Sequence, residues 1–454
     1  MKHGSRILSI GLMALLFALS GLAAVLLTER FGWRVDLTEQ ALYTLSEESE
    51  AILGALDRPV TITVINGEKE YPLLPANLLK KYAAACRQLT LRWCDPYLKP
   101  GTVRAYEEKG CSVELNDIVV ESDDRIKRIQ LTDLYEMNGD GTEITGLKAE
   151  QAISSAIFQV TQAESETVLF TDGHGEQVSG ALLDVMEENH FSTAYTTLSV
   201  LGIQADASLL CIASPERDFL KEEIEILRAY MNRGGRLMVF LSGGAENLTN
   251  LSAFLDEWGV KPGEGILEEP TLYMNENPNA IAATYVSHEI NRYFTRKRYY
   301  VIVPSCIPLE QTYISQGKSK TQQVLRTSSR ASAVLDDGER NANAPFGVAI
   351  SSVRESILDG RAVESRLIAI GSKQIYADDL MALPNLANRD FLVQCIGWCT
   401  EKDEMISIPG KPIGDPFLPV VAGEIQIWMI LFVVLLPACL LGVGLMRHLY
   451  RRRL

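Results

Sequence analysis

The stretch VLFTDGHGE, residues 168–176, decides the fold. A short apolar run, too brief for a helix, is followed at once by Asp172-Gly173-His174-Gly175-Glu176, so it reads as a buried strand ending in a tight polar loop. A helix is expected over 181–189. Residues 208–213 (SLLCIA) repeat the fully apolar strand pattern. Residues 219–233 then carry Ile224, Leu227, Tyr230 and Met231 at helical spacing, and Gly234-Gly235 stop that helix. Residues 236–241 (RLMVFL) form a third apolar strand. Strands apolar on both faces, alternating with amphipathic helices, predict a parallel sheet covered on both sides. The pattern continues with a helix over 248–258, a strand over 366–371 (RLIAIG) and a helix over 388–399. Between them, residues 262–345 are rich in polar and turn residues and read as irregular strands and loops.

The region before this sheet has a different order. Thr44 to Glu47 reads T-x-x-E, and Ser46 with Ser49 opens a helix carrying Ile52, Leu53 and Leu56, which Pro59 ends. Residues 60–65 (VTITVI) read as a strand, 77–87 as a helix, 89–94 as a strand and 102–109 as a helix. Residues 113–120 and 125–131 read as a hairpin across Ser122-Asp123-Asp124. Strand, helix, strand, helix, hairpin is the order of a thioredoxin-like domain. No C-x-x-C opens its helix, so oxidoreductase chemistry is not expected. Residues 150–163 form an amphipathic helix with Ile153, Ile157 and Val160 on one stripe, leading into the second region.

Both ends carry hydrophobic runs of membrane length. Residues 7–27 hold 21 uncharged positions and residues 425–445 another 21, with Gln426 the polar exception. A run of 20 residues spans roughly 30 Å. The first is read as an uncleaved anchor, with a cleaved signal peptide as the alternative. Lys2 and Arg6 precede it, and Arg447, Arg451, Arg452 and Arg453 follow the second, which places both termini in the cytoplasm. With those six set aside, 37 basic residues remain against 58 acidic ones, so residues 7–446 carry −21. A body this acidic is not expected to bind nucleic acid. The expected division is a tail (1–6), a transmembrane helix (7–27), a thioredoxin-like extracytoplasmic domain (28–149), an α/β extracytoplasmic domain (150–405), a Pro-rich linker (406–424), a transmembrane helix (425–446) and a basic tail (447–454).

Sequence motifs narrow the chemistry further. The chain lacks G-x-x-x-x-G-K-[ST], H-E-x-x-H and G-x-S-x-G. Seven of the eight cysteines fall in the body at irregular spacings, an odd number that leaves at least one free thiol, and most read as small buried hydrophobes. Cys395 and Cys399 share a helix face, a poor disulfide geometry. No metal site and no cofactor are expected. Arg292, Arg296, Lys297 and Arg298 make a local basic patch, read either as a solvated face or as a docking surface for an anionic partner. His288 reads as a packed loop residue, with a site role as the alternative.

Five segments together resemble the GldG family, auxiliary components of ABC-type transport systems: residues 36–65, TDGHGE at 171–176, LRAYMNRGGRLMVFL at 227–241, SRLIAIGSKQIYADD at 365–379 and residues 388–412. The resemblance covers nearly the whole chain and thins between 262 and 345. It implies a subunit associated with a permease and an ATPase, and a second domain similar to class I glutamine-amidotransferase (flavodoxin-like) folds. Enzymes of that fold carry a nucleophilic Cys on a glycine-flanked turn. Here Leu210-Cys211-Ile212-Ala213-Ser214-Pro215 places Cys211 inside an apolar strand with no flanking Gly, which argues against an amidase.

The candidate site is Asp172, Gly173, His174, Gly175 and Glu176, at a strand end where α/β sheets bind ligands. One reading has these residues bind a small ligand or partner loop, with His174 as acid, base or ligand. The other is a sharp turn in which His174 and Glu176 hydrogen-bond the loop. No catalytic residue is assigned. The expected function is a non-enzymatic substrate- or partner-binding subunit working with ABC permease and ATPase subunits and anchored in membrane lipid. The alternative is a membrane-tethered hydrolase or ligand sensor using this loop.

Overall fold

The computed structural model describes residues 44–413 except 138–141, 163–164, 297–298, 342, 359, 384–385, 403–404, 406–407 and 409. The hydrophobic runs, both tails and most of the linker lie outside the described residues. Among the described residues no helix is long and apolar enough to cross a membrane. The described residues from Leu45 onward belong to one compact unit.

The first layer begins with a capped helix. The Ser46 hydroxyl accepts from the Ser49 amide at 3.2 Å, and Glu47, Glu48 and Glu50 fill the first turn of Glu47–Gly54, where the helix dipole favours acids. Four strands follow: β1 (Val60–Val64), β2 (Leu89–Trp93), β3 (Ile118–Ser122) and β4 (Arg125–Ile129). Their spatial order is β2-β1-β3-β4, with β1 parallel to β2 and the β3–β4 hairpin antiparallel to β1. The turn between β3 and β4 places Asp123 at φ +52, a conformation Asp tolerates. The first crossover helix is Leu73–Ala85, four residues earlier than the spacing suggests. Pro75 sits in its first turn, where a missing N–H costs no helical hydrogen bond.

The helix Ala149–Thr161 packs on this small sheet. Ile153, Ala156, Ile157 and Val160 join Ile62, Val64 and Val120 in one core. Its second face reaches the larger sheet: the Ser155 hydroxyl donates to the Glu188 carbonyl at 2.5 Å, and Gln151 and Arg389 both bond the Glu188 carboxylate. The helix expected to open the second region therefore closes the first and forms the junction.

That junction also brings together the first and last described segments of the body. Glu150 is 2% exposed. Its Oε1 accepts from the Ser46 amide at 2.6 Å and the Ser49 hydroxyl at 2.7 Å, while Oε2 lies 2.7 Å from Lys411 Nζ. Beside it, β5 (Tyr135–Met137) and β6 (Ile144–Leu147) pair, and Lys411–Pro412 adds a third strand to β6.

The larger sheet is the parallel sheet the apolar strands predict. β7 (Glu166–Thr171), β8 (Phe191–Thr196), β9 (Ala207–Ala213) and β10 (Arg236–Phe240) run parallel in the order β8-β7-β9-β10, and Arg361–Ile370 lies parallel beyond β10. Alternate residues serve opposite faces. Leu209, Cys211 and Ala213 face the helices Gly180–Glu188 and Asn388–Thr400; Leu210 and Ile212 face Lys221–Met231 and Thr249–Glu257. Gly234, at φ +90, terminates the helix Lys221–Met231 ahead of β10. The strand Arg361–Ile370 turns back on Gly347–Leu358 in a long hairpin, and from there the sheet continues antiparallel through Ser319–Arg326 and Asn277–Tyr285. Much of the region expected to be irregular is thus an antiparallel extension of the same sheet.

Candidate functional site

The loop after β7 folds inward rather than outward. Gly173 at φ +122 and Gly175 at φ +85 adopt conformations open to glycine, and they turn the intervening His174 into the protein. A Cβ at Gly175 would meet Glu216 Cβ at 3.2 Å. The His174 carbonyl accepts from the amides of Glu216 and Arg217, both at 2.9 Å, so the loop is fastened to the segment following β9. The Arg217 guanidinium completes the fastening on the Gly173 carbonyl at 2.8 Å.

His174 is 7% exposed and stacks on Phe219, ring centroids 3.9 Å apart. Nδ1 lies 3.2 Å from Glu176 Oε1, and Nε2 lies 2.9 Å from Glu223 Oε2. Glu176 also accepts from the His174 amide at 2.6 Å. Glu223 accepts from the Leu220 amide at 2.9 Å, so it caps the helix Lys221–Met231 while it holds His174. With a carboxylate on each ring nitrogen, the imidazolium form satisfies both donors.

Burial opposes charge on His174, but the hydrogen bonds and charges of Glu176 and Glu223 outweigh it and raise the His174 pKa. Burial likewise works to raise Glu176, yet bonds from His174 and the backbone hold it down to about 2. Glu223 is lowered by the Leu220 amide and His174, again against burial.

These shifts fix a pH window. His174, raised from 6.5, contributes stability that is complete below pH 6.5 and fades as pH climbs through its folded value. Glu176, lowered from 4.5, contributes stability that is complete above pH 4.5 and fades as pH falls towards 2. The lock's contribution is therefore expected to plateau between those ordinary values and fall on both sides. A melting-temperature series across pH checks this; in His174→Gln the loss on the alkaline side should vanish.

The five loop residues separate into two groups. His174 and Glu176 point into the lock, and the two glycines make its turns. Asp172 is exposed and fixed through its amide to the Thr196 carbonyl at 2.9 Å. Sequence reading missed Glu223 and Phe219. The acid at the third position of a helix was a visible signal for Glu223, but it pointed only to a cap.

Other candidates resolve without reactive geometry. Cys211 is fully buried in β9, and burial pushes its thiol well up. At the end of that strand Ser214 adopts φ +55, but its hydroxyl is spent on Ser242 at 2.7 Å. Cys395 and Cys399 are free and buried. His288 accepts from the Ile290 amide at Nδ1 (3.1 Å) and faces the Ser351 hydroxyl at Nε2 (3.0 Å). Burial lowers it to about 4, so it is a neutral packed residue beside an open cleft of about 430 Å³. Of the basic patch, Arg292 is exposed and pairs with Glu289 at 3.6 Å. The side chains of Arg296, Lys297 and Arg298 lie outside the described residues. Among the described residues no cluster of three His, Cys, Asp or Glu side chains is placed to hold a metal.

Fold and site together define a mixed α/β protein built on a parallel sheet, with a buried ionic lock at the carboxyl end of its strands. Residues 39–138 match the family described as "Domain of unknown function (DUF7088)", a match that stops before the His174 loop. Among curated proteins none matches. Among solved structures, the mmIFT52 N-terminal domain is similar over 53% of this chain and 100% of that domain, at 19% identity and a TM-score of 0.39. A ThuA-like protein from Parabacteroides merdae is similar over 54% of this chain and 94% of its own, at 12% identity and a TM-score of 0.29. A glutamine amidotransferase from Thermotoga maritima is similar over 53% of this chain and 100% of its own, at 11% identity and a TM-score of 0.30.

Proposed function

We propose that this chain is a non-catalytic auxiliary subunit of an ABC-type transport complex, of the GldG kind. The hydrophobic runs at 7–27 and 425–446 anchor it in the membrane, both termini are cytoplasmic, and the α/β body binds a partner or substrate outside. The strand order β2-β1-β3-β4 supports reading the first layer as a thioredoxin-like scaffold, and the parallel sheet supports an amidotransferase-like second layer. The observation that carries the non-catalytic reading is the state of His174. Both its ring nitrogens are bound to buried carboxylates, so neither is open to a substrate proton. Cys211, the cysteine that the resemblance sets against an amidase nucleophile, is fully buried.

Purification from native membranes in mild detergent tests this. The expected result is co-isolation of a permease and an ATPase with the chain. The opposing result is a chain that elutes alone and carries a hydrolytic activity abolished by His174→Ala, which would favour the membrane-tethered hydrolase.

A further inference from the structure

The turn Leu198–Leu201, directly after β8, leaves two large aliphatic side chains in solvent: Val200 is 77% exposed and Leu201 64%. Leu220, just before the helix Lys221–Met231, is 59% exposed. The turn packs against that helix. The Leu220 amide donates to the Glu223 carboxylate at 2.9 Å. Glu223 is held in turn by His174. The lock therefore fixes the helix start, against which the turn packs, and Val200, Leu201 and Leu220 are exposed. The core does not need them, because Leu198 is the residue of this turn that points inward, at 1% exposure. One exposed leucine is ordinary; three aliphatics gathered on a rigid frame form a recognition patch.

The rim gives the patch its sign. Asp172, Glu216 and Glu222 are exposed beside it, as are Arg217 and Lys221. Counted with the lock itself, five carboxylates stand against three cations. We propose that this face docks a segment of a partner protein that presents aliphatic side chains flanked by Lys or Arg. Aliphatic contact supplies the burial, and the surplus negative charge selects a basic neighbour and speeds encounter. An anionic lipid surface would be repelled by the same rim, and a second copy would set two acidic rims face to face. The inference deepens the partner-binding reading above, but it stands on this face and not on the transporter assignment.

A benzophenone amino acid placed at position 200 of the full chain, irradiated in native membranes and followed by sequencing of the cross-linked peptide, tests the docking. The expected cross-link is to another protein, at aliphatic residues within a few positions of Lys or Arg. With the probe moved to position 201, Val200→Asp plus Leu220→Asp should lower the yield about tenfold, the effect of some 1.4 kcal/mol. Asp172→Lys plus Glu222→Lys should lower it severalfold, and added salt should do the same. Melting temperatures should stay at the wild-type value, since every altered side chain is exposed. No cross-link, or one only to lipid, to a second copy or to an acidic or neutral segment, overturns the proposal. If a permease and an ATPase co-isolate normally while position 200 stays silent, the face fails and the subunit reading stands. If the cross-link reaches a basic, aliphatic segment of a protein outside any transporter, the face stands and the subunit reading fails.

Discussion

His174→Ala is expected to lower the unfolding free energy of the body by about 3 kcal/mol at neutral pH, the typical cost of removing one partner from a buried ionic group. The substitution leaves Glu176 and Glu223 nearly inaccessible and without their shared cation. It also removes the ring that stacks on Phe219. The orphaned carboxylates can take up a proton at low pH, and the wild-type lock itself fades at high pH, so the penalty should be largest near pH 6 and smaller on both sides. A second substitution, Glu176→Gln, should restore part of the loss in the His174→Ala background although it is destabilising alone. Unfolding of the full chain in detergent, followed by near-ultraviolet circular dichroism, reads all three variants. A loss of the same size at pH 5, pH 6 and pH 8 would show that the ring's packing matters and its charge does not.

Glu150→Ala should cost about as much by a different route. It strips an acceptor from the Ser46 amide and Ser49 hydroxyl and leaves the Lys411 ammonium, on a side chain only 14% exposed, without its carboxylate. Loss of about 3 kcal/mol is expected. Because Glu150 ties together groups from both ends of the body, limited proteolysis should accelerate near residues 44–58 and near 405–413 before it touches the sheets. Glu150→Gln should be milder, since an amide oxygen still serves Ser46. Unchanged cleavage at both ends in Glu150→Ala would refute the coupling.

The parallel sheet was legible because its strands are apolar on both faces, so Leu209 to Ala213 announces burial without any partner in view. β8 was not. It lies at the sheet edge, its sequence FSTAYT is half polar, and only Phe191 and Thr196 are buried. The strands at Tyr135–Met137, Ile144–Leu147 and Lys411–Pro412 are too short for periodicity, and Lys411 finds its place against Leu147 across most of the chain. The antiparallel extension was obscured for a related reason: Asn277–Tyr285 (NPNAIAATY) uses small residues and owes its burial to distant strands. In the loop, two glycines around His174 marked an unusual turn. What they could not convey was that the turn points inward, because the second carboxylate, Glu223, lies 49 residues away.

The strand Arg361–Ile370 has a bearing on how the protein is made. β10 is complete at residue 240, yet its far neighbour begins at residue 361, and the helix Asn388–Thr400 that covers one face of the parallel sheet comes later still. A nascent chain emerging amino end first must carry an open sheet edge and an uncovered apolar face for well over a hundred residues of synthesis. Slow, late closure follows from the order of the strands.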